Sequence, residues 1–333
     1  MTGMDFEKVL GHEEIVKSLK EIIVDNKEGH AYVFSGPSGV GKNTIAKVFS
    51  KALLCTNIIN GNPCGRCVSC KSFESSSNPD FYMTDSSLSS IGVDAIRDIQ
   101  KRAKVKPYYS QKNVFLIPNA DKMTIQAQNC ILKTLEDPPG HTVIILTARN
   151  YEYFLETIKS RLVRYNMKPN TQSEVYEYIK THTKENDLSK IKFIASCTGG
   201  SIGKALELIN SNDFVSIRDK TINILLEVNK GDFEVAMKYS DFFEKNKQSI
   251  DVILEIMLLF YRDLLVIKNN ADKGDLINKD KTDVIFSSAS DFSIKKLLKN
   301  IDCIYRVAHR LNRNVNYNIA TNNMLMEIQE VRY

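Results

Sequence analysis

The 333-residue chain predicts an α/β protein in its first half, a parallel sheet organised around a phosphate-binding loop, followed by helical domains. Three observations carry this reading. The stretch Ser35-Gly36-Pro37-Ser38-Gly39-Val40-Gly41-Lys42-Asn43-Thr44 reads Gly-x-x-x-x-Gly-Lys, between a short apolar run and a helically spaced one. Further apolar runs, Val114-Phe115-Leu116-Ile117 and Val143-Ile144-Ile145-Leu146-Thr147, alternate with helical segments, as in a parallel sheet covered on both faces. From about Phe214 onward the apolar residues recur at helical spacing.

The loop comes first in the argument. Ala31-Tyr32-Val33-Phe34 suits a buried strand before it, and Ile45, Val48, Phe49, Ala52 and Leu53 share one helical face after it. Strand, turn and helix N-terminus aim backbone N–H groups and a helix dipole at an anion. Gly36, Gly39 and Gly41 let the chain wrap around phosphates, and Lys42 would neutralise the outer ones of ATP or ADP. The next residue should be Ser or Thr, whose hydroxyl holds Mg²⁺. It is Asn43, and Thr44 lies about 100° further round the helix. An amide oxygen can ligate a hard cation, so this defect weakens the site without abolishing it. The second defect is graver. In P-loop ATPases of this layout the strand at 114–117 ends in Asp-Glu, for the cation and the attacking water. Here it ends in Pro118-Asn119, and Asp121 is out of register to replace them.

After the loop's helix comes Cys55-x8-Cys64-x2-Cys67-x2-Cys70, among turn residues Asn60-Gly61-Asn62-Pro63 and Gly65. Four thiolates with two Cys-x-x-Cys steps suit a closed, structural tetrahedral zinc site. An iron–sulfur run would need a cysteine soon after Cys70, where Ser72-Phe73-Glu74 stands. Cys130, Cys197 and Cys303 sit alone in apolar patterns and read as core residues.

Composition sets the outer bounds. A hydrophobic share of 43% and a charged share of 26% are those of a soluble globular protein. The net charge of +5 permits nucleic-acid contact without requiring it. Met4 to Asp25 is too rich in Asp, Glu and Lys for a signal peptide, and Val252 to Phe260 is too short to span a membrane. A cytoplasmic setting is expected, in which seven cysteines mean metal ligands or free thiols.

The remaining elements follow in order. Residues 7–24 carry an apolar helical rhythm, with His12 at the start as a satisfied surface histidine. Asn78 to Tyr82 opens an extended piece, and Val93 onward a helix ending in the basic run Lys101 to Lys106, read as a solvated helix end. Met123 to Glu136 is helical and stops at Asp137-Pro138-Pro139-Gly140. Glu174 to Lys180 and Ile191 to Ala195 look like helices of a small lid. Ile250, Ile253, Leu254, Met257, Leu258, Tyr261, Leu264 and Leu265 form a wide apolar stripe, and Val252, Ile256, Leu259 and Phe260 extend it around the helix.

The order of motifs then becomes recognisable over roughly residues 5–210. The P-loop, the four-cysteine insertion, Leu132-Lys133-Thr134-Leu135-Glu136-Asp137-Pro138-Pro139 and Ser160-Arg161-Leu162 resemble the AAA+ clamp-loader subunits of bacterial DNA polymerase III, on their delta-prime branch. That resemblance implies three domains: an AAA+ P-loop sheet at 1–165 with a zinc module at 55–70, a helical lid at 166–210, and an all-α collar at 211–333. The run Asn312-Arg313-Asn314-Val315-Asn316-Tyr317 also resembles the family's last segment. Cys55, Cys64, Cys67 and Cys70 would be the zinc ligands, and Arg161 would act in trans, in the ATP site of a neighbouring subunit. The family's third residue in that motif is Cys, and here it is Leu162.

The motor subunits of the same family, tau/gamma, keep the Asp-Glu pair, a sensor arginine where this chain has Gly203 in Gly200-Ser201-Ile202-Gly203, and a C-terminal extension. The expected function is that of a stationary, ATPase-deficient subunit which helps place the sliding clamp on primed DNA. Its expected partners are the tau/gamma motor subunits, the delta subunit, the clamp and, through the complex, DNA. The rival expectations are an active motor of the tau/gamma kind and a zinc-bearing DNA-binding module.

Overall fold

The computed structural model describes residues 4–85, 87, 89–230, 238–269, 275–311 and 315–330. The chain divides into two compact units, Met1–Asn170 with Ser201–Gly203, and Thr171–Gly200 with Lys204–Tyr333. The first three residues of the Asn312 to Tyr317 run lie outside the described residues.

The first unit is built on five parallel strands: β1 (Ala31–Ser35), β2 (Phe81–Met83), β3 (Asn113–Ile117), β4 (Thr142–Ala148) and β5 (Val163–Asn166). Their order across the sheet is β2-β3-β4-β1-β5. The strands β1, β3 and β4 are buried at every position, which is why they read as unbroken apolar runs. Alternation within each run sorts its side chains by face. Tyr32, Phe34, Val114, Leu116, Val143 and Ile145 meet Ile45, Val48 and Phe49 of α2 (Lys42–Leu54), together with Leu19 of α1 (Glu13–Val24). On the opposite face Val33, Phe115, Ile117, Ile144 and Leu146 pack on Ile96 and Ile99, and on Ile131 and Leu135. Those helices are α4 (Val93–Ala103) and α5 (Ile125–Glu136), which follow the short α3 (Val68–Glu74) and precede α6 (Glu156–Lys159).

Two expectations need correction. The rhythm over 7–24 is not one helix: a 3₁₀ turn at Phe6–Lys8 precedes α1, and the chain breaks at Gly11 and His12, both with positive φ. A Cβ on Gly11 would lie 2.3 Å from Asn170 Oδ1, so only glycine allows this approach. Edge strand β5 was also not expected. Its sequence Val-Arg-Tyr-Asn is mostly exposed and carries no apolar run to betray it.

The second unit is helical among its described residues. It comprises α7 (Gln172–His182), α8 (Leu188–Cys197), α9 (Ile202–Asn210, whose first residues belong to the first unit), α10 (Phe214–Lys230), α11 (Ser240–Lys245), α12 (Ile250–Lys268), α13 (Thr282–Ser288), α14 (Ile294–Leu311) and α15 (Tyr317–Glu330). The broad apolar stripe of α12 is explained by its neighbours, since α8, α10, α13 and α14 all pack against it. Cys197 and Cys303 are core residues as expected, whereas Cys130 is half-buried beside Gln100.

A buried carboxylate anchors the turn between α4 and β3. Asp80 accepts the backbone N–H groups of Tyr108, Tyr109 and Ser110 at 2.5, 2.7 and 2.8 Å. Asp80→Ala leaves these donors without their acceptor. It is expected to lower unfolding stability by about 2–3 kcal/mol, measured by urea titration, and to speed amide exchange at 108–110 ahead of β3.

Candidate functional site

The loop emerges where a parallel sheet places its sites, at the carboxyl ends of the strands. Gly36 N–H bonds the carbonyl of Ala148 at the end of β4, which brings the start of the loop beside that strand's exit. Gly39 has φ 78°, and a Cβ there would lie 1.9 Å from Ser201 Oγ. The nearest atom to a Cβ built on Gly203 is Gly39 O, at 3.9 Å. Ser201 and the start of α9 therefore lie against the phosphate loop, and a long side chain at 203 would start from there.

Lys42 is buried and donates through Nζ to the carbonyls of Gly36 and Pro37, at 2.8 and 2.5 Å. Burial lowers its proton affinity, Arg149 adds to this, and Asp121 opposes it. His12 Nε2 lies 3.0 Å from the carbonyl of Val40, so the histidine is satisfied by the loop itself.

The position where a cation would sit is wired differently. Asn119 N–H donates to Thr147 Oγ1 at 3.1 Å, and the Thr147 hydroxyl donates to Asn43 Oδ1 at 2.8 Å. The amide oxygen standing in place of a P-loop hydroxyl thus accepts a hydrogen bond from the end of β4. Pro118 is buried and offers no ligand, and Asn119 sits in the left-handed region at φ 52°. Asp121 accepts Arg149 N–H at 3.2 Å, and Thr44 is exposed on the first turn of α2. The loop amides and Lys42 suit phosphate; toward a cation the site offers the Asn43 oxygen, one lone pair of which is engaged by Thr147, and no carboxylate at 118–119. Thr147 was not singled out from the sequence, although a hydroxyl ending an otherwise apolar strand at this edge was available as a signal.

Arg161 follows α6. Its Nη1 donates to Thr157 O at 2.7 Å and to Ser160 Oγ at 3.1 Å, and its Nη2 pairs with Glu136 at 3.0 Å. The side chain is about a third exposed. Glu156, the nearer carboxylate in sequence, pairs with Lys159 instead.

The four cysteines of the insertion converge: their sulfurs lie within 4.8 Å of one another. A tight reversal at Asn60-Gly61, both with positive φ, bridges Ile59 to Asn62 and turns the chain from Cys55 toward Cys64. Cys67 caps α3 by accepting Cys70 N–H at 3.3 Å. Cys64 N–H and Asn57 N–H point at Cys55 Sγ, and Cys67 N–H at Cys64 Sγ. The Cys55 thiol is drawn down to about 5, first by the Cys70 thiol beside it and then by those backbone donors. Zinc–sulfur bonds of about 2.3 Å in a tetrahedron need sulfurs about 3.8 Å apart, and amide donors aimed at the sulfurs are what thiolates require. The residues therefore fit a closed four-thiolate metal site. The module is held to α2 by the buried Lys51 ammonium, which reaches Glu74 at 2.7 Å and Met4 O at 3.0 Å.

The basic run after α4 behaves as a helix end. Arg102 pairs with Asp98 at 2.9 Å and stands 4.5 Å over the Tyr82 ring.

Comparison with known proteins follows the same division of the chain. The delta' subunit of DNA polymerase III from Bacillus subtilis is 29% identical over 323 residues, 95% of each chain. The tau subunit of the same organism is 30% identical over 309 residues, 86% of this chain and 54% of that longer one. A gamma-subunit-related protein of known structure from Thermotoga maritima aligns over 95% of this chain at 18% identity and a TM-score of 0.42. The family described as DNA polymerase III, delta subunit, matches residues 11–171, and its C-terminal family matches 212–330. The chain therefore belongs to the delta-subunit family of DNA polymerase III clamp-loader proteins, on its delta-prime branch.

Proposed function

We propose that this chain is the stationary member of a clamp loader: it completes the ATP site of a neighbouring motor subunit and turns over no ATP itself. The observation that carries the proposal is the relay from Asn119 through Thr147 to Asn43, which occupies the cation position with neutral hydrogen bonds. Pro118 and Asn119 bring no carboxylate for Mg²⁺ or for the attacking water, and Gly203 brings no guanidinium over the loop. Phosphate can still meet the loop amides and Lys42, so nucleotide binding without turnover is compatible with the site. Arg161 has the planar fork of donors a trans-acting group needs, about a third exposed, and that role requires it to release Glu136, Thr157 and Ser160. Its partners would be tau/gamma motor subunits, the delta subunit, the sliding clamp and primed DNA, in the cytoplasm. Among the described residues no helix is long and apolar enough to cross a membrane.

A second reading is an active motor, favoured by the 30% identity to a tau subunit. It predicts Mg²⁺-dependent turnover by the chain alone. On the proposed reading, ATP hydrolysis by the purified chain stays at the background of a Lys42→Ala variant. Turnover above that background would restore the motor reading.

Arg161→Ala is expected to fold and assemble normally. In the reconstituted loader with clamp and primed DNA, the one site it serves should slow by about 10³-fold or more, removing that site's share of steady-state turnover. Equal rates for wild type and variant would rule out a role in trans.

The zinc proposal stands on the four converging sulfurs. Protein purified without chelator should carry one zinc per chain by elemental analysis. Cys67→Ser should lose the metal and loosen residues 55–74 to protease, while β1, β3 and β4 keep their amide protection. Metal-free wild-type protein with an unchanged module would count against the site.

A further inference from the structure

The second unit holds a cleft of about 500 Å³ that the proposed role leaves unused. Two lysines line it, Lys192 on α8 and Lys279 just before α13. Three of the acids around them are committed elsewhere, Glu185 to Lys190, Asp280 to Arg218, and Asp263 to Arg262, while Glu177 shares the cleft with them. Burial lowers the proton affinity of Lys192, the neighbouring Lys279 lowers it further, and Arg262 adds to this against a smaller pull from Asp263. Lys192 is half-buried and Lys279 exposed, and like charges brought together are unfavourable unless an anion is shared between them.

The scaffold keeps them there. Asp263 is fully buried and accepts the N–H groups of Ile277 and Asn278 at 3.1 and 2.8 Å, and the Asn278 side-chain amide at 2.8 Å. Arg218 grips Asn278 at 2.8 Å and forks onto Asp280 at 2.8 and 2.7 Å. Residues 277–280 are therefore fixed by a buried polar network, and Lys279 rides on it. A network of this kind is costly to desolvate and rigid once satisfied. It fixes Lys279 beside Lys192, as a preorganised anion site requires.

The rest of the cleft is not what a bare anion needs. Tyr176, Leu188 and Ile277 give it an apolar side, and its volume is in the range of about 300–1,000 Å³ usual for small organic ligands. The N-terminal turns of α7 and α8 both reach it, but each is already capped by a carboxylate, Glu174 and Asp187, so the positive charge of the cleft rests on the two lysines. Glu177 supplies an acidic acceptor, the group that nucleotide sites use on ribose hydroxyls. We propose that this cleft binds a nucleotide, its phosphates on Lys192 and Lys279 and its base against Tyr176, Leu188 and Ile277. This site is separate from the glycine-rich loop and independent of the role assigned to that loop.

The test is calorimetric titration of the full chain with ADP in EDTA, in a Lys42→Ala background that removes the loop's contribution. The expected result is saturable binding of one ADP, weakened about tenfold or more by combined Lys192→Ala and Lys279→Ala. Tyr176→Ala should weaken ADP and leave inorganic pyrophosphate unchanged. Without ligand, removing either lysine should leave the melting temperature equal or higher, and Lys279→Gln gives a second variant of similar size. The proposal is overturned by absence of saturable ADP binding, by binding that survives loss of both lysines, or by short duplex DNA binding through them while ADP fails to compete.

Discussion

Everything in the first unit depends on β1 being the inner strand between β4 and β5, covered on both faces. Burial on two sides demands an apolar strand, and parallel neighbours demand that β1, β3 and β4 exit at the same edge. The glycine loop, Pro118-Asn119 and Thr147 are then brought together although they are far apart in sequence. The register is explicit: Phe34 stands opposite Thr147, and Leu116 opposite Ile145. A slip of one residue would turn Tyr32 and Phe34 away from Phe49 and move Thr147 off Asn43.

Much of this was legible from residues alone. The buried strands announced themselves because two covered faces leave no polar alternation, and α2 because its apolar face follows a glycine-rich turn. The convergence of the four cysteines was legible because two Cys-x-x-Cys steps are a tighter spacing than packing requires. What was not legible depended on pairings across the fold. Thr147 and Asn43 are 104 positions apart, and neither carries a local mark of the other. The partner of Arg161 is Glu136, across the α5 to β4 connection, rather than a carboxylate of its own helix. Asp263 sits in the most apolar helix of the chain, and the backbone it holds is recognisable only after folding.

The two polar networks differ in a way that matters chemically. Around Asp263 the groups are charged and, apart from the buried Arg218 Nε, paired, so that knot is stiff and specific. Around Asn43 the groups are neutral, and the buried one, the Thr147 hydroxyl, is satisfied without a counter-ion. At the end of β3, where the sequence pattern of a P-loop ATPase expects a carboxylate pair, this chain has groups that need no metal to be stable.

The consequence of that neutral relay is thermodynamic. A ligand shifts a conformational equilibrium only by the difference in its affinity for the two conformations. A metal–nucleotide gains that difference by pulling strand ends and loop onto one cation. Here Thr147 already joins the end of β4 to both Asn119 and Asn43, so little slack remains for a cation to take up. On the proposed reading, that strand edge passes on little of a nucleotide cycle. A stationary clamp-loader member would use such an edge as a fixed bearing surface.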